Sequence, residues 1–129
     1  MKSDMLKLRE ALEHSWGSDT SYQGVFDRNN MAFGQCYSTS RVVQRFYPEV
    51  EIVEGKVWTG KGTEKHFWNA LRSGGSLYHL DLTWQQFPSG SIVKEWWVRD
   101  RETLGDSQRT IDRIELLYSR VNQYISSVQ

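Results

Sequence analysis

Apolar residues recur at three- and four-residue steps near both ends of the chain and alternate through its middle. Met5, Leu8, Leu12 and Trp16 share one helical face, which predicts a first helix over 4–15, with Ser3 as N-cap and Gly17 as stop. Residues 17–34, rich in Ser, Asp, Asn and Gly, read as an extended loop lying over the domain. A second helix fits 36–47, turning Val42, Val43 and Phe46 inward before Pro48 ends it. Val50, Ile52, Val53 and Val57 then predict a strand over 50–59, and Gly55 suggests a bulge or bend in it. Near the C-terminus Ile111, Ile114, Tyr118, Val121, Ile125 and Val128 form a long stripe, with Asp106 or Ser107 available as cap. Such a stripe packs on its own domain or forms a coiled-coil seam, so a homodimer through this helix stays open.

Two β-like runs, 64–71 and 77–83, flank Ser73-Gly74-Gly75-Ser76 and predict a hairpin. Because side chains alternate along a strand, Phe67, Leu71, Tyr78, Leu80 and Leu82 are expected to form the core face. His66, Trp68, Ala70, Leu77, His79, Asp81 and Thr83 fall on the other face. A Gly74-Gly75 turn sets Asp81 opposite Trp68 and diagonal to His66, and a Ser73-Gly74 turn sets it directly across from His66. Either register puts His66 and Asp81 within side-chain reach. Asn69 sits on the apolar face without an evident partner. Residues 92–98 fit another strand or a short helix.

The pattern describes one α+β domain spanning residues 1–129, and composition narrows its uses. Sixteen basic and sixteen acidic residues cancel, which leaves no electrostatic footprint for nucleic acid or an anionic membrane. No apolar run approaches the roughly 20 residues a membrane span needs. The opening Met1-Lys2-Ser3-Asp4-Met5 has no signal-peptide character, and the single cysteine cannot form an intramolecular disulfide; both fit a cytoplasmic protein. One cysteine and three scattered histidines, without CxxC or HExxH, argue against a zinc site. A mixed ligand set of Cys36, His66, His79 and Asp81 is a poor alternative for the same reason. No cofactor is expected.

The remaining candidate chemistry centres on Cys36. It follows Gly34-Gln35 at the start of a helix, where unpaired amides and the macrodipole favour thiolate, the nucleophilic form. His66 is the candidate base and Asp81 the carboxylate that would fix its tautomer. The Cys36 amide, with a side-chain amide from Asn30 or Gln35, would serve a developing oxyanion. Trp68, His79 and Trp84 are candidates to line the cleft. Taken singly, each residue has a plainer role: a buried thiol, a hydrogen-bonded core histidine, a turn-capping acid, packed indoles.

Gly34-Gln35-Cys36 with Thr39, His66-Phe67-Trp68-Asn69, and Asp81-Leu82-Thr83-Trp84-Gln85-Gln86-Phe87 resemble the signature blocks of the YunG-like family of small bacterial proteins. Ala11-Leu12-Glu13-His14-Ser15-Trp16 with Asp19-Thr20 resembles its N-terminal block, so the likeness covers about residues 11–93. Where that pattern has Asn-Pro, this chain has Asn30-Met31. The order Cys, His, Asp is in turn similar to the papain-like and transglutaminase-like superfamily, which also places an oxyanion-hole amide six residues before the cysteine, as Asn30 stands here. The resemblance implies a nucleophile at Cys36, a base at His66 and an orienting acid at Asp81. It further implies a small papain-like fold, its Cys-bearing helix packed on an antiparallel sheet with N- and C-terminal helices. The expected activity is thiol-dependent hydrolysis or acyl transfer on an amide, ester or thioester of an unidentified small molecule or peptide. The alternative is a non-catalytic domain that keeps this fold and binds a small ligand or a protein.

Overall fold

The computed structural model describes residues 2–128, with side chains from Asp4 onward. Three helices, α1 (Lys2–Ser15), α2 (Cys36–Phe46) and α3 (Gln108–Ser127), accompany four strands, β1 (Glu51–Trp58), β2 (Thr63–Ser73), β3 (Ser76–Leu80) and β4 (Ile92–Arg99). The strands make one antiparallel sheet in the order β3-β2-β1-β4, so the fold is α+β. Among the described residues no helix is long and apolar enough to cross a membrane.

The helical core forms where the sequence spacing puts it. Leu8, Ala11, Leu12 and Trp16 of the N-terminal segment meet Val42 and Val43 of α2 and Ile114, Leu117 and Val121 of α3. The α3 stripe is therefore spent within the chain, against α1 and α2. Ile111 and Val128, counted in the stripe, are 39% and 54% exposed, because the packed arc runs through Leu117 instead. Ser107 caps α3 by accepting from the Thr110 amide (3.2 Å), while Asp106 turns away to Tyr37 and Arg41. Ser3, expected as the cap of α1, instead lies inside the helix, which already runs from Lys2.

The hairpin takes the first of the two registers open to it. Ser73 pairs Ser76 and Asn69 pairs Leu80, with Gly74 and Gly75 at φ +57° and +82° in the two-residue turn. Positive φ at both positions matches the right-handed twist of the strands and suits glycine. The expected core face is corrected by the packing. His66 and Ala70 are fully buried and Trp68 is 5% exposed, whereas Tyr78 is 60% exposed. Phe67, Leu71, Leu80 and Leu82 are half-buried, and the last three pack on the helical core. Both faces of the central strands are thus covered, as the adjacent buried pair Ile52 and Val53 also records. Alternation alone presumes one wet face and could not detect this.

Asn69 resolves the same way. Its amide donates to the Ser40 carbonyl (3.1 Å) and the Glu51 carbonyl (3.2 Å), pinning α2 and β1 to β2. Gly55 is not at the sheet's irregularity, which falls between Lys56 and Val57, opposite Lys94. It pairs regularly with His66 and Trp96. A Cβ there would lie about 2.5 Å from the Trp68 ring, so the glycine makes room for that indole. Residues 92–98 are strand, at the sheet edge beyond β1. Leu82 and Thr83 lie outside β3 because Asp81 ends it: its Oδ1 accepts from the Thr83 amide (3.0 Å) and folds the chain into a 3₁₀ turn over Trp84–Gln86.

Candidate functional site

Cys36 is the first residue of α2. The turn before it requires Gly34, at φ +78°, whose carbonyl accepts from the Tyr22 amide (2.9 Å). Gln35 follows as N-cap without capping the helix through its side chain, so the first-turn amides beside the sulfur keep no side-chain partner there. The cysteine is half-buried. It lines a cleft of about 700 Å³ together with Phe33, Gly34, Tyr37, Phe67 and Gln86. The sulfur is therefore not sealed among aliphatic side chains.

His66 is fully buried. Its Nε2–H donates to Asp81 Oδ2 at 2.6 Å. The two oxygens of Asp81 divide their work, one ending the strand at Thr83 and the other holding the imidazole. Three aromatic rings enclose the imidazole. Trp68 stacks on it (5.4 Å between centroids, 29°), Phe87 meets it edge-on (4.7 Å, 87°) and Trp84 lies across it (6.1 Å, 61°). The other ring nitrogen, Nδ1, is buried and makes no hydrogen bond. A buried polar atom without a partner is costly and rare, and reactive sites are one place where it is tolerated.

Burial opposes a charge on His66, but the Asp81 carboxylate and then the nearby Cys36 sulfur outweigh it, raising the pKa from 6.5 to about 9. Cys36 thus acts on the ring without meeting hydrogen-bond geometry at Nδ1. With Nε2 committed to the acid, Nδ1 is the ring nitrogen left without a partner.

The other expected site residues lie elsewhere. Gln35 is completely buried, its Nε2 donating to the Gly17 carbonyl (2.9 Å) and its Oε1 accepting from Thr20 (2.8 Å). It braces the 17–34 loop and offers nothing to the cleft. Asn30 donates its side-chain amide to the Gln86 carbonyl (3.0 Å), tying that loop to the segment after Asp81. Trp68 and Trp84 pack on His66 instead of lining the cleft, and His79 accepts from Trp68 Nε1–H (2.8 Å) on the sheet face. Among the described residues no group of three or more His, Cys, Asp or Glu is placed to hold a metal ion.

Two features escape sequence reasoning. Phe87 follows Trp84 by one 3₁₀ turn, a spacing that sets the two rings in tilted contact (5.1 Å, 57°) and delivers both to His66. The other is a polar clamp on the cleft wall, where Tyr37 Oη–H donates to Asp106 Oδ1 and Arg41 Nε donates to Oδ2 (3.0 Å). Burial and the Asp106 carboxylate hold the Tyr37 phenol well above its ordinary range. Its partners are about 65 residues apart in sequence, and no local pattern announces them.

Fold and site together define a small α+β domain in which a cleft cysteine stands beside a buried imidazole–carboxylate pair. The chain belongs to the YunG family, whose match spans residues 4–126. No curated protein and no solved structure matches it.

Proposed function

We propose that the protein is a thiol-dependent hydrolase or acyltransferase in which Cys36, His66 and Asp81 act as nucleophile, base and orienting acid. The observation that carries this reading is the buried imidazole, held by Asp81 at Nε2, with Nδ1 unpartnered and its charge stabilised by the Cys36 sulfur. The order of Cys helix, His strand and acid is similar to that of papain-like enzymes, and a small papain-like fold belongs to the same proposal.

The thiol proton passes to His66 Nδ1, leaving a thiolate–imidazolium pair. The sulfur attacks the carbonyl carbon of an amide, ester or thioester, and the electron pair of the C=O bond moves to oxygen. With the Gln35 amide occupied, the first-turn N–H groups at Cys36 are the donors for that oxyanion. As the C=O bond re-forms, the bond to the leaving group breaks, and the leaving group takes the proton from His66. Water or an amine then gives its proton back to Nδ1 while attacking the acyl-thioenzyme, and Cys36 is released.

Incubation with p-nitrophenyl acetate tests this. Intact mass is expected to find one acetyl group on Cys36, formed well above the rate of free cysteine, and none in Cys36→Ser. Acetylation no faster than that of free cysteine would instead favour a binding domain built on the same fold.

A further inference from the structure

We infer that His79 is a positioning residue for His66, acting through the indole of Trp68. The inference rests on the proposed role of His66, and on contacts that form a continuous line across the sheet face.

His79 stands directly across from Ala70 on β2, and Trp96 of β4 stands directly across from Gly55 on β1. Gly55 and Ala70 are the small floor on which three larger rings assemble. Trp68 lies over Gly55 and stacks on His66. Its Nε1–H donates to His79 Nδ1 at 2.8 Å. The His79 ring is itself set by Trp96, which meets it edge-on (4.7 Å, 82°). Trp68 is 5% exposed, so an unmade bond at Nε1 would leave a buried donor without a partner. The indole thus has one satisfied orientation, in which its face lies against the imidazole. His79 is exposed, pairs with neither Asp81 nor Cys36, and lines no part of the Cys36 cleft. Among the described residues its side chain reaches the site through Trp68. A buried ring that must keep Nε2 on Asp81 and aim Nδ1 at a sulfur gains from a fixed wall, because small misplacements of reacting groups are expensive in rate.

Two substitutions separate this role from packing. His79→Phe keeps a ring against Trp96 but removes the acceptor. His79→Asn loses the ring but places Oδ1 where Nδ1 stands. The readouts are the NMR titration of the His66 ring and the rate of Cys36 alkylation by iodoacetamide. His79→Phe is expected to lower the His66 midpoint by about half a pH unit or more and to slow alkylation roughly threefold to tenfold. His79→Asn is expected to restore most of both. If His79→Phe leaves the titration unchanged, or His79→Asn shifts it as far as His79→Phe does, the inference is overturned. The titration decides this whether or not Cys36 is catalytic. The thiol reading fails separately, if His66→Ala leaves alkylation at the wild-type rate.

Discussion

Replacing His66 with alanine is expected to slow alkylation of Cys36 by about tenfold at pH 7. An unassisted thiol is only a few per cent ionised there, whereas a thiol paired with an imidazolium is largely thiolate. That advantage is about thirtyfold in thiolate fraction, and the lower intrinsic nucleophilicity of a stabilised thiolate takes back part of it. The pH dependence is the more discriminating part. His66 keeps its proton up to about pH 9, so any help it gives the thiol persists from pH 6 to 8, and the wild-type rate should fall less steeply toward acid than that of His66→Ala. In His66→Ala the rate should fall about tenfold per pH unit toward acid, as for ordinary thiols. Rates followed by intact mass across that range check it, and superimposable profiles would remove His66 from the chemistry.

The second large effect concerns stability. The pKa of His66 is higher in the folded chain, about 9, than its ordinary 6.5. The folded state therefore binds more protons than the unfolded state between those values. The stabilising contribution is complete below about pH 6.5 and is lost as pH rises through about 9. A shift of this size corresponds to about 3 kcal/mol. Urea denaturation should accordingly find unfolding free energy declining by up to that amount across the window. Asp81→Asn is the informative variant, because its carbonyl can still accept from the Thr83 amide and preserve the turn. Without the carboxylate, burial is no longer outweighed in the same way, and most of the decline should disappear. An equal decline in the variant would mean that Asp81 does not hold the imidazolium.

What the chain discloses before folding is uneven, for identifiable reasons. The helices are legible because each spends one face on a common core, as Leu8 and Leu12, Val42 and Val43, and Ile114 and Val121 do. The hairpin is legible down to two registers, because Gly74 and Gly75 take the positive φ of a tight turn cheaply, and either register sets Asp81 near His66. That both faces of β2 are covered is not legible. The second covering layer comes from Trp68, Leu77 and Val98 on three different strands, and from Trp84 and Phe87 in the following loop. Side-chain amides mislead for a related reason. Gln35 beside a candidate nucleophile reads as an oxyanion donor until Thr20 and Gly17, distant in sequence, occupy both of its ends. Residue type locates Cys36, His66 and Asp81, while long-range packing decides what Gln35, Asn30, Trp68 and His79 do.

The most direct test is the titration of the His66 imidazole by NMR in the wild-type protein and in Cys36→Ser. The sulfur helps to hold the imidazolium, so the midpoint should lie near pH 9 in the wild type. It should drop by roughly one pH unit when a hydroxyl that does not ionise replaces the thiol. The same midpoint in both proteins would mean that Cys36 and His66 do not share a charge, and would contradict the account.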